Sequence, residues 1–190
     1  MSKAVIRNNP ITSYQKRDRR DLAKVCRETN KGLTGILNII NVEGWNNLPV
    51  LEYRVGNFSN SVVKKARKVI IDGIWRTIAL TLEHYAEDCL KSTGVEVGKR
   101  ELDRILSDRV KGFSLPYMGA TFDDRIERLA RRTRNNLVND LKTCAIGKYT
   151  TKQATDYLHV RFYNLGPVRE GGALLGGADT LLVSEENRVY

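Results

Sequence analysis

The sequence has little of what most active sites are built from. Histidine occurs twice, at His84 and His159, and neither has a cysteine or a carboxylate pair beside it at metal-ligand spacing, so a transition-metal site is not expected. No glycine-rich loop ends in Gly-Lys-Ser or Gly-Lys-Thr. The run Gly171-Gly172-Ala173-Leu174-Leu175-Gly176-Gly177 lacks the lysine that would reach a phosphate. There is no Gly-x-Ser-x-Gly, and nothing in the order of residues brings a serine, a histidine and an aspartate together. The expectation is a protein with no metal, no cofactor and no catalytic residue.

Long apolar runs are also missing. Val69 to Ile71 and Ile78 to Leu80 are interrupted within a few residues, far short of the roughly 20 needed to cross a bilayer. Arg17, Asp18, Arg19, Arg20 and Asp21 stand where a secretory peptide would carry its apolar segment, which predicts a protein made and kept in a cytoplasm. Cys26, Cys89 and Cys144 are odd in number and widely spaced, as expected of small buried hydrophobes in a reducing compartment.

What is present is a folding composition with a basic excess. The 190 residues are 41% hydrophobic and 28% charged, enough to bury a core. Lys plus Arg number 32 against 22 Asp plus Glu, a net charge of +10. The excess is uneven: residues 1–76 hold 15 cations and 6 anions, residues 77–190 hold 17 and 16. That sign favours a polyanion or an anionic surface as partner.

Periodicity predicts a mostly α, elongated protein with at most one short strand or hairpin. A first helix is expected over 13–41, from the apolar steps Leu22, Cys26, Thr29, Leu33, Ile36, Leu37 and Ile40, with a break at Gly32 as an alternative. Gly44 and Pro49 would end it. Leu51, Tyr53 and Val55 alternate with Glu52 and Arg54, which reads as a short strand or an extended connector bounded by Gly56 and Asn57. A long helix over 60–92 follows, capped by Ser59 or Ser61, closed by Gly94, and buried along Val63, Ala66, Ile70, Ile74, Ile78, Leu82, Tyr85 and Cys89. Further helices are expected over 99–110, from Thr121 to Gly147 behind a Thr121/Asp124 cap, over 151–164, and from Asp179 onward, with loops at 112–119 and 166–177. The division drawn is a basic helical region, 1–111, and a helical core, 112–190, which also read as one continuous domain.

Basic clusters are the one chemical signal that persists. Lys16, Arg17, Arg19, Arg20, Lys24 and Arg27 fall in the first helix, and Lys64, Lys65, Arg67 and Lys68 at the expected start of the long one. Such a density suits salt-sensitive, sequence-independent contact with phosphates, and equally suits an acidic protein surface or a merely solvated helix face. No recognition-helix motif, zinc finger or aromatic stacking platform is visible.

The order of segments in 112–190 carries a resemblance. Gly112-Phe113-Ser114-Leu115, the helix over 122–146, Gly147-Lys148-Tyr149-Thr150, the helix over 151–162, a glycine-rich passage and Ser184-Glu185-Glu186-Asn187-Arg188-Val189-Tyr190 resemble the core of the minor head, or head-morphogenesis, proteins of tailed bacteriophages. Ser184 and Glu185 fall on the Thr and Glu of that family's Arg-Thr-Glu box and Asn187 on its nearby Asn, while Val183 stands where the family has arginine. The resemblance implies a structural virion protein at the portal or the inner face of the major capsid protein. It would be made in the host cytoplasm, contact double-stranded DNA, act in head assembly, genome packaging or ejection, and be open to homo-oligomerisation. A free sequence-independent nucleic-acid-binding protein is the alternative. In the plainer reading of the box, Ser184 caps a terminal helix and Glu185 and Glu186 sit at its positive end.

Overall fold

The structure, a computed structural model, describes residues 10–116, 119–163 and 174–189. Their helices are α1 (Pro10–Arg27), α2 (Thr29–Leu37), α3 (Ile40–Glu43), α4 (Leu48–Thr93), α5 (Lys99–Ser114), α6 (Phe122–Ile146), α7 (Thr151–Tyr163) and α8 (Leu174–Val189). No strand occurs among the described residues, so the mostly α, elongated architecture is as expected. Most of the glycine-rich passage expected over 166–177 lies outside the described residues.

Helix α4 is the spine. Its 46 residues rise about 69 Å at 1.5 Å each. It starts much earlier than the sequence suggested. Residues 51–55 are helical rather than extended, because Leu51, Val55, Ser59, Val62 and Ala66 all go inside, at steps of three and four that only a helix places on one side. The alternation that suggested a strand is broken by Tyr53, which is 65% exposed. Pro49 sits in the first turn of α4, where its missing N–H costs nothing, and does not terminate a preceding helix. Ser59 and Ser61 are therefore mid-helix and not caps: their hydroxyls donate back to the carbonyls of Gly56 and Phe58, each at 2.7 Å. The far end is as expected, with Gly94 at φ 70° closing the helix.

The first predicted helix is three. The chain breaks at Glu28 and again at Asn38 and Ile39, not at Gly32, which lies within α2 against the ring of Phe58. Helix α3 ends at Gly44, φ 61°. Helix α5 continues through Ser114, so Gly112 to Ser114 are helical rather than loop. The capping box at α6 is present: Thr121 Oγ1 accepts from the Asp124 N–H, and the Asp124 carboxylate accepts from the Thr121 N–H at 2.8 Å.

One core joins both ends of the sequence. Leu22, Cys26, Leu33 and Leu37 from α1 and α2 meet Leu51 to Ile78 of α4, Leu137 and Leu141 of α6, Leu158 of α7 and Leu182 of α8. The expected α4 stripe holds through Ile78, but Leu82 and Cys89 are only half-buried and Tyr85 is exposed. Cys26 and Cys144 are buried, free thiols, and burial pushes them up to about 12 and about 11.

Candidate nucleic-acid interface

Two stripes run along α1 and α2, two residues out of step. Asp18, Leu22, Cys26, Thr29 and Leu33 recur at steps of four, four, three and four and are all buried. Lys16, Arg20, Lys24, Arg27 and Lys31 recur at the same steps and are all exposed, with Arg17 beside them. Two residues on an α-helix turn about 200°, so burying the first stripe points the second straight out to solvent. Glu28 keeps right-handed helical angles, φ −65° and ψ −15°, and the cationic line passes the α1/α2 junction almost undisturbed. From Lys16 to Lys31 it is about 22 Å long.

Helix α4 lies antiparallel beside it. Asp18 pairs with Arg76 and Glu28 approaches Lys65 at 4.0 Å, so advancing along α1 means retreating along α4. At the level of Lys24 and Arg27, α4 therefore presents Lys64, Lys65 and Lys68, all exposed. The two sets extend one surface, with Glu28 and Lys65 at its seam. Because Lys64 to Lys68 are mid-helix, they do not oppose the dipole of α4, as a position at its start would have required.

Two of the predicted cations are drawn away from this face by carboxylates of α8 and α6. Arg19 turns away from the stripe and its Nε donates to Asp179 of α8 at 2.6 Å. Arg67 is half-exposed, holds Asp123 of α6 at 2.9 Å and lies over the Phe122 ring at 5.7 Å. The face therefore comprises Lys16, Arg17, Arg20, Lys24, Arg27, Lys64, Lys65 and Lys68. Lys31 continues it, a residue that a search for dense clusters passes over and that the four-residue step from Arg27 would have found.

The Ser184 to Asn187 box occupies the opposite side of α1. It does not cap a helix: α8 begins at Leu174, so Ser184 is an exposed mid-helix residue and Glu185 and Glu186 point inward, fully buried. Glu185 is paired with Arg125 of α6 at 2.8 Å and with Arg188 at 3.2 Å, yet burial outweighs both guanidiniums and raises its carboxyl above the ordinary range. Glu186 reaches α1 and α4. A Cβ on Gly73 would stand 2.8 Å from Glu186 Oε1 and 3.0 Å from Asp18 Oδ2, so both carboxyls converge on that glycine. Burial first, then the hydrogen bond and charge of Asp18, push Glu186 up to about 8 against the pull of Arg76 and Arg19. Asn187 accepts from Gln15 of α1 at 3.1 Å. These polar groups tie α8 to α1, α4 and α6. Sequence clustering missed Asp18, Arg76, Arg125 and Arg188 as partners in this interior network.

Among the described residues, no group of three or more His, Cys, Asp or Glu is placed to hold a metal ion, and no helix is long and apolar enough to cross a membrane. No protein-family model, curated protein or solved structure matches the chain.

Proposed function

We propose that this chain is a structural virion protein, a minor head protein of a tailed bacteriophage. It holds packaged double-stranded DNA without regard to sequence while docking on the portal or the inner capsid, and so serves head assembly, genome packaging or ejection. The observation that carries the DNA contact is the cationic face of α1, α2 and α4, with Glu28 at its seam. A line about 22 Å long covers roughly six base pairs of duplex at 3.4 Å per step, and its long flexible cations suit phosphates rather than base edges. The placement in a phage head rests on the ordered resemblance of residues 112–190.

The same face serves a free, sequence-independent nucleic-acid-binding protein, and the composition of particles separates the two. Mass spectrometry of purified heads is expected to find the chain beside portal and capsid proteins, and purified protein is expected to retard duplex DNA at low salt. Duplex binding without particle association supports the free protein. Absence of both removes each reading.

A further inference from the structure

Two exposed aromatic side chains of α4 flank the cationic face, Trp75 beyond Lys68 and Tyr53 before Lys64. Trp75 is 48% exposed and Tyr53 65% exposed, both on α4 and about 33 Å apart along it. Trp75 precedes Arg76, whose partner Asp18 follows Arg17, so the indole stands at the height of the basic residues of α1 and two turns along α4 from Lys68. Tyr53 edges a groove of about 550 Å³ between α4 and α6, whose lining includes Arg134, Asn135, Asn139 and Lys142. Arg134 crosses there over Gly56: a Cβ on that glycine would lie 2.9 Å from Arg134 Nε.

An exposed indole at the edge of a cationic surface has two uses, insertion among anionic lipid headgroups or stacking on an unpaired base. Membrane insertion needs an apolar face around the tryptophan. Here the outward-facing neighbours along α4 are Lys68, Asp72 and Ala79, all exposed. Stacking needs only the ring face and a nearby phosphate-binding cation, because every base has a π surface. We infer that this face takes single-stranded nucleic acid as well as duplex, its backbone along the lysines and arginines and unpaired bases on Trp75 and Tyr53. The inference rests on the reading of this face as a nucleic-acid surface.

Trp75 supplies its own reporter. The other tryptophan, Trp45, is half-buried and donates its indole N–H to the Tyr149 carbonyl at 3.0 Å. Titrating the full chain with an oligothymidylate long enough to reach both aromatics is expected to quench its fluorescence, and Trp75→Ala to weaken that binding about five- to a hundredfold. Duplex binding by the same variant should move less than about twofold, and Trp75→Phe should keep most of the oligothymidylate affinity. Equal oligothymidylate affinity in Trp75→Ala, or an equal loss for duplex, overturns the inference. So does a blue shift with phosphatidylserine vesicles and no quench by oligothymidylate. Salt-sensitive duplex binding without quench overturns the stacking alone; no binding of either nucleic acid at low salt overturns the surface itself.

Discussion

Asp18 of α1 and Glu186 of α8, 168 positions apart in sequence, converge on Gly73 of α4 in the fully buried centre of the fold. Two carboxyls at that separation from one backbone cannot both be ionised cheaply. The Arg76 guanidinium pairs with Asp18, while burial, and after it the neighbouring Asp18, raises Glu186 so that it keeps its proton well above the ordinary range. Helices from the two ends of the sequence thereby bring two carboxyls against the same point of the spine.

That proton makes stability depend on pH. A glutamate ordinarily ionises near 4.5, whereas Glu186 in the fold does so at about 8. Between these values the unfolded chain has released a proton that the folded chain retains, so stability falls as pH rises, by up to about 1.4 kcal/mol per pH unit. The contribution is complete below about 4.5 and lost by about 8. Urea midpoints measured across this window should decline more steeply for the natural protein than for Glu186→Gln, which keeps a donor but cannot ionise. Parallel declines would show that Glu186 titrates normally.

Gly73 should resist even the smallest enlargement. Alanine is the better helix former by up to about 1 kcal/mol, but its methyl would meet Glu186 Oε1, Leu182 Cδ1 and Asp18 Oδ2 at 2.8 to 3.0 Å. Gly73→Ala is expected to lose about 1–3 kcal/mol net by chemical denaturation. A gain in stability would mean that α8 can withdraw freely from α4.

Arg125 and Glu185 form a second test of the interior. Arg125→Met leaves Glu185 fully buried with Arg188 alone, and the cost should reach about 3–5 kcal/mol. Adding Glu185→Gln removes the unbalanced charge and should restore most of that loss. If the single and double variants unfold at the same urea concentration, the pair does not hold α6 to α8.

The α6 cap offers a smaller, local check. Thr121→Ala removes the hydroxyl that accepts from the Asp124 N–H and is expected to cost about 1 kcal/mol, read as a lowered Tm. An unchanged Tm would indicate that Asp124 alone satisfies the helix start.

Much of this was legible in the residue pattern. The α6 cap, the Gly94 terminus and the buried run from Val63 to Ile78 follow from local rules that tertiary packing did not override. The start of α4 was not legible, because Leu51, Tyr53 and Val55 satisfy a period of two while Leu51 and Val55 also fit 3.6, and the choice falls to distant partners on α2 and α6. The interior carboxylates left a signal that charge clustering conceals. Asp18 lies four residues before Leu22, and Glu185 and Glu186 lie four after Leu181 and Leu182, so each is in step with an apolar stripe. Which arginine answers which carboxylate depends on how α1, α4, α6 and α8 cross, and no sequence spacing encodes that.

The central claim is that the outward stripe of α1, continued by α4, binds phosphates. Duplex affinity measured against salt concentration tests it most directly, comparing the natural chain with Arg20→Gln/Lys24→Gln/Arg27→Gln/Lys68→Gln and with Arg19→Gln/Arg67→Gln. The stripe variant should flatten the slope of log affinity on log salt by about 0.9 for each phosphate it no longer neutralises, while the variant of the two internally paired arginines changes it far less. Equal slopes for the natural chain and the stripe variant would contradict the account.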